Sequence, residues 1–457
     1  MSLAGALLLA AGAQVAPGTP VTVAVSRAGD GFEAEFRLPR AAPAWGFFRS
    51  SDARAGGGAW RPASWTVLTP GVRLVRRGRY DALVGQAGRA VPRSVRVRFT
   101  PFTGDLVADY VPALRLGGSG VALFDGHFAI FSVGSPDRLD RLPVDLADTA
   151  VGDTGTTVRF SAPSGRLRLA GDIAGFRAGS SQGTYGLFDV PQASEQDGMA
   201  TVIDGGMPAW LASDIREFTP RVLARYRAAL GSPGNLRPTV LASWAGGETP
   251  GINLNGGVLR GLVLMRLAGR QATTPDPRVR AAVHRFIAHE SAHFWLGQAL
   301  EYERTSDSWI MEGGADLLAI RTLAATEPGF DARGALQKSL DNCIAASRKG
   351  GLASAGERGD NQAWYDCGAI LSLAAERTSG GDFGRFVRAM IATNPDRRIG
   401  AAEWLSLLDR AAPGRGLAAL AGLLLASAQS DSAGWTALLQ AAGVPVRIRP
   451  NASPELL

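Results

Sequence analysis

Two histidines lie at the spacing with which one helix can bind a single metal ion. The segment 289–293 reads H-E-S-A-H, an H-E-x-x-H motif with apolar neighbours. Because four residues make slightly more than one helical turn, His289 and His293 project from the same face and can bind one zinc ion. Glu290 can then reach a water molecule at that metal and act as its general base. A chance histidine pair on a surface helix is the alternative, which the apolar neighbours disfavour.

The helices that carry these and further polar residues have recognisable ends. Asp276 can cap the first helix, Pro277 suits its first turn, and the apolar spacing predicts a helix that continues to Leu300. A second helix is predicted from Ser308, reading S-W-I-M-E-G-G-A-D and then L-L-A-I-R-T-L-A-A. A third ligand of the metal has to come from outside the first helix, and the second one carries two carboxylates.

Eighteen residues separate His293 from the first of these carboxylates, Glu312. This spacing and the local sequence W-I-M-E-G-G-A resemble the aminopeptidase-N-like gluzincin zinc metallopeptidases, which have W-L-N-E-G-F-A here and include glycyl-aminopeptidase-like relatives. The resemblance implies that Glu312 is the third ligand of one zinc ion per chain. Similarity to thermolysin-like proteases implies that Asp316, one turn later, holds His289 by a hydrogen bond. An ordinary solvated helix position is the alternative for Asp316.

A second segment of the chain is similar to the same family. Tyr365-Asp366-Cys367-Gly368-Ala369 resembles the family's Y-x-K-G-A, with Cys367 in place of the lysine. The resemblance implies that Tyr365 donates a hydrogen bond to the oxyanion that forms during hydrolysis. A tyrosine of the helix core is the alternative.

The resemblance as a whole implies zinc-dependent hydrolysis of peptide bonds by an aminopeptidase-like enzyme. The family's aminopeptidases bind the substrate α-amine through the Glu of a G-x-M-E-N segment, which this chain lacks. The nearest stretch is G-G-E ending at Glu248, which either binds the amine or belongs to a turn. A zinc endopeptidase is therefore an alternative. A non-catalytic periplasmic binding protein on the same fold is another, although binding alone requires neither Glu290 nor Tyr365. A structural zinc site would usually have four protein ligands.

The first half of the chain has the pattern of antiparallel strands. Alternating apolar and polar residues occur in Val21–Val25, Phe32–Leu38 and Val95–Phe99, between turns rich in Gly and Pro. The period then changes to that of a helix in Trp210–Leu230. The remainder from Val279 is predicted to be mainly helical.

Two further strands are predicted between the helices of the middle region. They are Thr239–Ser243 and Gly261–Leu267, and the segment between them, rich in Gly, Pro and Asn, is predicted to be a loop. The fold class is therefore α+β and multidomain. We expect a signal peptide at 1–13, a β-rich domain at 14–200, a thermolysin-like zinc catalytic domain at 201–330 and a helical C-terminal region with the tyrosine at 331–457.

Composition indicates a soluble globular protein that does not bind nucleic acid. Of 457 residues, 46% are hydrophobic and 19% are charged, and no apolar run is long enough to span a bilayer. The net charge of +7 comes from arginine, since Lys338 and Lys349 are the only lysines. Basic residues do not gather in a stripe with aromatic residues. Abundant Arg, Ala and Gly are typical of a GC-rich bacterial genome.

The N-terminus and the cysteines indicate export. Residues 1–13 form a short apolar run that ends in A-G-A, which favours a signal peptide and a periplasmic or secreted protein. A frayed apolar N-terminus or a wrongly assigned start codon is the alternative. Cys343 and Cys367 can form one disulfide in an oxidising compartment or remain two separate thiols. The sequence does not indicate the oligomeric state or the preferred peptide sequence.

Overall fold

The computed structural model describes residues 20–457, apart from 108, 144, 145, 147, 148, 154, 163–166, 170–178, 181, 182, 197, 235–237 and 427–430. The expected signal peptide at 1–13 lies outside the described residues. Among the helices within them, none combines the length and the apolar character that crossing a membrane requires.

Strands dominate the first part of the chain and helices the second, as the sequence predicts for an α+β protein. The strands are β1 (Val21–Ala28), β2 (Gly31–Arg37), β3 (Ala44–Phe47), β4 (Trp65–Val67), β5 (Val72–Arg77), β6 (Tyr80–Gly85), β7 (Ser94–Phe99), β8 (Ala113–Arg115), β9 (Val121–Phe124), β10 (Ile130–Val133), β11 (Thr156–Ser161), β12 (Leu167–Leu169), β13 (Gly179–Ser180), β14 (Tyr185–Phe188), β15 (Ser194–Gln196), β16 (Met199–Ile203), β17 (Thr239–Trp244), β18 (Asn253–Leu259), β19 (Leu262–Ala268), β20 (Glu301–Tyr302), β21 (Arg398–Ile399), β22 (Val446–Ile448) and β23 (Pro454–Leu456). The helices are α1 (Trp60–Ser64), α2 (Pro136–Leu139), α3 (Ala209–Leu230), α4 (Pro277–Ala292), α5 (Ser308–Thr326), α6 (Ala332–Ser347), α7 (Gln362–Thr378), α8 (Phe383–Thr393), α9 (Ala401–Ala411), α10 (Leu417–Ala426) and α11 (Ser432–Ala442).

The N-terminal region consists of three sheets with mainly antiparallel pairing. Their strand orders are β13-β11-β1-β2-β7-β4, β10-β3-β6-β5 and β12-β14-β9-β8. In β7 the side chains of Val95, Val97 and Phe99 are buried and those between them are exposed. This alternation is the predicted one, because successive side chains of a strand point to opposite faces. The strands predicted in this region are confirmed at β1, β2 and β7.

A five-stranded mixed sheet of order β15-β16-β17-β19-β18 leads into the helical region. The predicted helix and both predicted strands of this region are confirmed as α3, β17 and β19. The predicted loop between the strands is wrong in part, because residues 253–259 form β18 and pair with β19 along their length. Asn and Gly disfavour a strand when taken alone, and the pairing with a buried neighbour outweighs that preference. The predicted domain boundaries remain predictions.

The helix with the histidine motif is shorter than predicted. The structure ends α4 at Ala292, whereas the apolar spacing predicts Leu300. At Gly297 the backbone φ is +134°, a conformation that other residues rarely adopt, and the Gly297 N–H donates to the Leu300 carbonyl. The chain therefore turns after His293, and its apolar residues reach the core from a turn instead of a helix.

Candidate metal centre

The first two candidate ligands are held by a well-anchored helix. The Asp276 side chain accepts hydrogen bonds from two backbone N–H groups of the first turn of α4, and Pro277 follows it. Near the other end, the Tyr226 hydroxyl of α3 donates to the Ala288 carbonyl at 2.9 Å. His289 and His293 are both buried. Their rings therefore have fixed positions on the inner face of α4.

Three ligand atoms converge between α4 and α5. The Nε2 atoms of His289 and His293 are 3.2 Å apart, and Glu312 Oε2 lies 3.3 Å from the first and 3.5 Å from the second. A tetrahedral ion with bonds of about 2.1 Å would have ligand atoms roughly 3.4 Å apart. Among the described residues these three form the group whose ligand atoms lie close enough to hold a metal ion.

The hydrogen bonds around this group hold the Nδ1 atoms of both imidazoles, so that the Nε2 atoms face Glu312. His289 Nδ1 donates to Asp316 Oδ1 at 3.0 Å, and His293 Nδ1 donates to the Leu296 carbonyl at 2.7 Å. In a neutral imidazole the other nitrogen then carries only a lone pair. Glu312 Oε2 is also an acceptor, buried and without a hydrogen-bond partner in the described part of the chain. Three acceptors that face one another in a buried site fit a bound cation.

Ionisation of the ligand residues shows how strongly the site attracts positive charge. Burial lowers the pKa of His289, but the Asp316 and Glu312 carboxylates outweigh burial and raise the pKa to about 10. Burial would raise the pKa of Glu312, yet the neighbouring imidazoles of His293 and His289 bring it to about 2. The charge distribution that attracts a proton here would also attract a metal dication.

Asp316 lies where the resemblance places it, one turn after Glu312 and against His289. Its second oxygen, Oδ2, accepts a hydrogen bond from Arg285 Nη2 at 3.1 Å. Arg285 precedes His289 by four residues, so α4 supplies both partners of this carboxylate. Burial raises the pKa of Asp316, and Arg285 and His289 bring it below its ordinary value. The carboxylate therefore remains charged and oriented toward the ring. Arg285 belongs to no motif in the sequence, although it precedes His289 at the i, i+4 spacing that places both on one helix face.

The two candidate catalytic residues lie beside this group. Glu290 is buried, and burial raises its pKa although His289 and His293 partly offset the effect. The ring of Tyr365, from α7, stacks on the ring of His289 with centroids 5.5 Å apart. Burial, followed by the charges of Glu312 and Glu290, raises the pKa of Tyr365 well above its ordinary value. Its hydroxyl therefore remains protonated and can act as a donor.

The distance between α5 and α7 is set by a pair of glycines. A Cβ added to Gly313 would lie 2.0 Å from the carbonyl carbon of Gly368, and a Cβ on Gly368 would lie 2.3 Å from the Trp309 carbonyl oxygen. Gly313 directly follows Glu312, and Gly368 lies one turn after Tyr365. Contact between the two backbones therefore holds the tyrosine close to the ligand group.

Glu248 is separate from this group. It is exposed in the bend between β17 and β18. Within the described ranges it forms no hydrogen bond or ion pair with the metal-site residues. Its amine-binding role remains a prediction.

The two cysteines form a disulfide between α6 and α7, with 24 residues of sequence separation. Both are buried. Replacing both cysteines by alanine is expected to lower the free energy of unfolding by roughly 3 kcal/mol, because the unfolded chain regains the freedom of that loop. Chemical denaturation of both proteins measures the difference. Two reactive thiols in denatured, unreduced wild-type protein would contradict the bridge.

Comparison with known proteins supplies a fold and no family. No protein-family model matches the sequence, and no curated protein sequence matches it significantly. Among solved structures, the chain resembles a variant of the M1 zinc metallopeptidase from Deinococcus radiodurans bound to a Tyr-Ser-Ala substrate, with a TM-score of 0.51 and 15% identity over 90% of this chain and 94% of that one. It also resembles native leukotriene A4 hydrolase from Saccharomyces cerevisiae, with a TM-score of 0.50 and 11% identity over 90% and 68% of the two chains. At these identities the likeness concerns the fold.

Proposed function

We propose that this chain is a zinc-dependent peptidase of aminopeptidase-like specificity. The observation that carries the proposal is the convergence of three ligand atoms of His289, His293 and Glu312 in a buried site beside a carboxylate and a tyrosine. Three protein ligands would leave a fourth coordination position for the reacting groups, as in catalytic zinc sites. The M1 metallopeptidase with the similar fold binds a peptide, which agrees with this proposal.

Each polar residue then has one role. Zinc, when bound, supplies a Lewis acid that polarises the scissile carbonyl and makes water a better nucleophile. Glu290 accepts the proton of the attacking water and donates it to the leaving amine. The Tyr365 hydroxyl donates a hydrogen bond to the charge that develops on the carbonyl oxygen. Asp316 keeps His289 in the tautomer that offers Nε2 to the metal.

The sheet offers a place for an extended peptide next to this centre. β18 is the outer strand of its sheet in the described part of the chain, so one of its edges can pair with another strand. A Cβ on Gly256 would lie 2.4 Å from Cζ of Phe286, which precedes His289 by three residues on α4. A peptide along this edge would therefore run beside α4, the helix that carries His289. We also propose that the sheet, α4 and α5 form a thermolysin-like catalytic unit.

Removing one histidine tests the metal site. Purified protein should contain about one zinc ion per chain and hydrolyse peptides, and His293→Ala should lose both the metal and the activity. His284→Gln is the matched control, because His284 lies on the same helix but bonds Asp214 and Glu327. Elemental analysis and a peptidase assay measure the two properties. Full zinc retention by His293→Ala would show that the ligand assignment is wrong.

A further inference from the structure

The open edge of β18 has a limited length. Residues 260–261 form a two-residue turn, and in such a hairpin alternate residues hydrogen-bond to the neighbouring strand. Leu259 is in a bonded position because it flanks the turn. It follows that Leu254, Gly256 and Val258 point their backbone N–H and C=O groups away from β19, toward the open edge.

One of these outward groups already has a partner from the N-terminal region. The Tyr110 hydroxyl donates a hydrogen bond to the Val258 carbonyl oxygen at 2.7 Å, although the two residues are 148 positions apart in sequence. Because the hydroxyl occupies this carbonyl, an extended peptide can pair with β18 at Leu254 and Gly256 but not beyond. The tyrosine therefore closes the edge at the end nearest the turn.

Tyr110 is held firmly in this position. A Cβ on Gly257 would lie 2.8 Å from Tyr110 Cε1, so the ring lies directly on the face of β18 opposite to α4. The Arg49 guanidinium lies 5.5 Å from the ring centroid and bonds Asp109 at 2.6 Å. A second contact between the N-terminal region and the hairpin pairs Asp105 with Arg266 of β19 at 2.9 Å. These contacts hold the segment around Tyr110 against the hairpin.

The open part of the edge lies against the helix that carries the reacting groups. Burial raises the pKa of Tyr110, Arg49 partly offsets this, and the charge of Glu290 adds to the rise. The open position at Gly256 lies against Phe286, one turn before His289. A peptide on this edge would thus end at Tyr110 and run beside the helix that carries His289.

We propose that Tyr110 determines the exopeptidase specificity of this site by ending the substrate strand at Val258, so that the amino end of the peptide lies against the tyrosine. This inference rests on the proposed peptidase function. Blocking groups or further residues on the amino side of the scissile bond then meet the hydroxyl end of the tyrosine instead of an open edge. Glu248 is not needed for this restriction.

The test compares kcat/KM for one pentapeptide with a free amino end and for the same peptide acetylated at that end. Tyr110→Ala should raise the ratio of acetylated to free-amine kcat/KM about tenfold and produce internal cleavage. Tyr110→Phe, which removes only the hydroxyl, should raise the ratio less. Tyr80→Phe is the matched control, because Tyr80 is also buried and donates to a backbone carbonyl, that of Pro143, away from the segment around Tyr110. Its ratio should equal that of the wild type.

Thermal melting identifies any variant that fails to fold, and Tyr110→Phe carries the test if Tyr110→Ala is one of them. An unchanged ratio in the folded Tyr110 variants, with wild-type protein active on the free peptide, would overturn this inference alone. The inference would also be overturned if the Tyr110 substitutions changed the relative kcat/KM for a peptide amidated at its carboxyl end and not for the acetylated peptide. Wild-type protein that hydrolyses neither peptide would overturn the proposed function as well.

Discussion

Glu290→Gln is expected to abolish peptide hydrolysis and to leave the zinc content unchanged. The amide has nearly the shape of the carboxylate but cannot accept the proton of the attacking water. We expect kcat to fall about a thousandfold. Zinc should stay at the wild-type level because Glu290 is not one of the three converging ligands. Steady-state kinetics and elemental analysis of the same preparation measure both quantities.

The control for this substitution is another carboxylate next to α4. Glu327→Gln removes a negative charge that bonds His284 on the same helix, outside the proposed metal site. Its kcat should remain close to that of the wild type. Wild-type turnover in Glu290→Gln would show that another group accepts the proton.

Local features of the site could be predicted from sequence because they depend on one helix each. The spacing of His289 and His293 and the cap at Asp276 are properties of α4 alone. Glu312 could be identified only by resemblance. Its distance from the histidines depends on how α5 lies against α4, and spacing along the chain does not specify that arrangement. The end of α4 was also missed, because its apolar spacing continues into a turn that Gly297 makes possible.

Features that depend on distant parts of the chain could not be predicted. The composition of residues 253–259 is that of a loop, and β18 forms because β19 pairs with it. Tyr110 lies in a region of the sequence without a motif, and its contact with Val258 exists only in the folded protein. The likeness to the peptidase family concerned segments near the proposed metal site. It gave no information about the strand that we propose receives the substrate.

Gly313 lies in one of the two segments that carry the family resemblance, and Gly368 lies in the other. The structure gives a physical reason for a glycine at each position. Each lacks the side chain that would occupy the space of the opposite helix backbone. Backbone atoms cannot move aside as a flexible side chain can, so the helices themselves would have to separate. The two helices carry Glu312 and Tyr365. A change in their spacing would therefore alter the proposed site without touching any polar residue.

Gly368→Ala is accordingly expected to lower kcat about a hundredfold while KM and zinc content change little. The new Cβ would lie 2.3 Å from the Trp309 carbonyl oxygen and 2.8 Å from Gly313 Cα, so α7 must shift and take Tyr365 with it. Overpacking of this kind should also cost about 1–3 kcal/mol in the free energy of unfolding.

Gly422→Ala in α10 is the matched control, because its Cβ would meet Leu405 Cδ1 at an ordinary 3.7 Å. That variant should keep wild-type activity and stability or gain slightly in stability. Equal kcat values for the two variants would show that the glycine contact does not position the tyrosine.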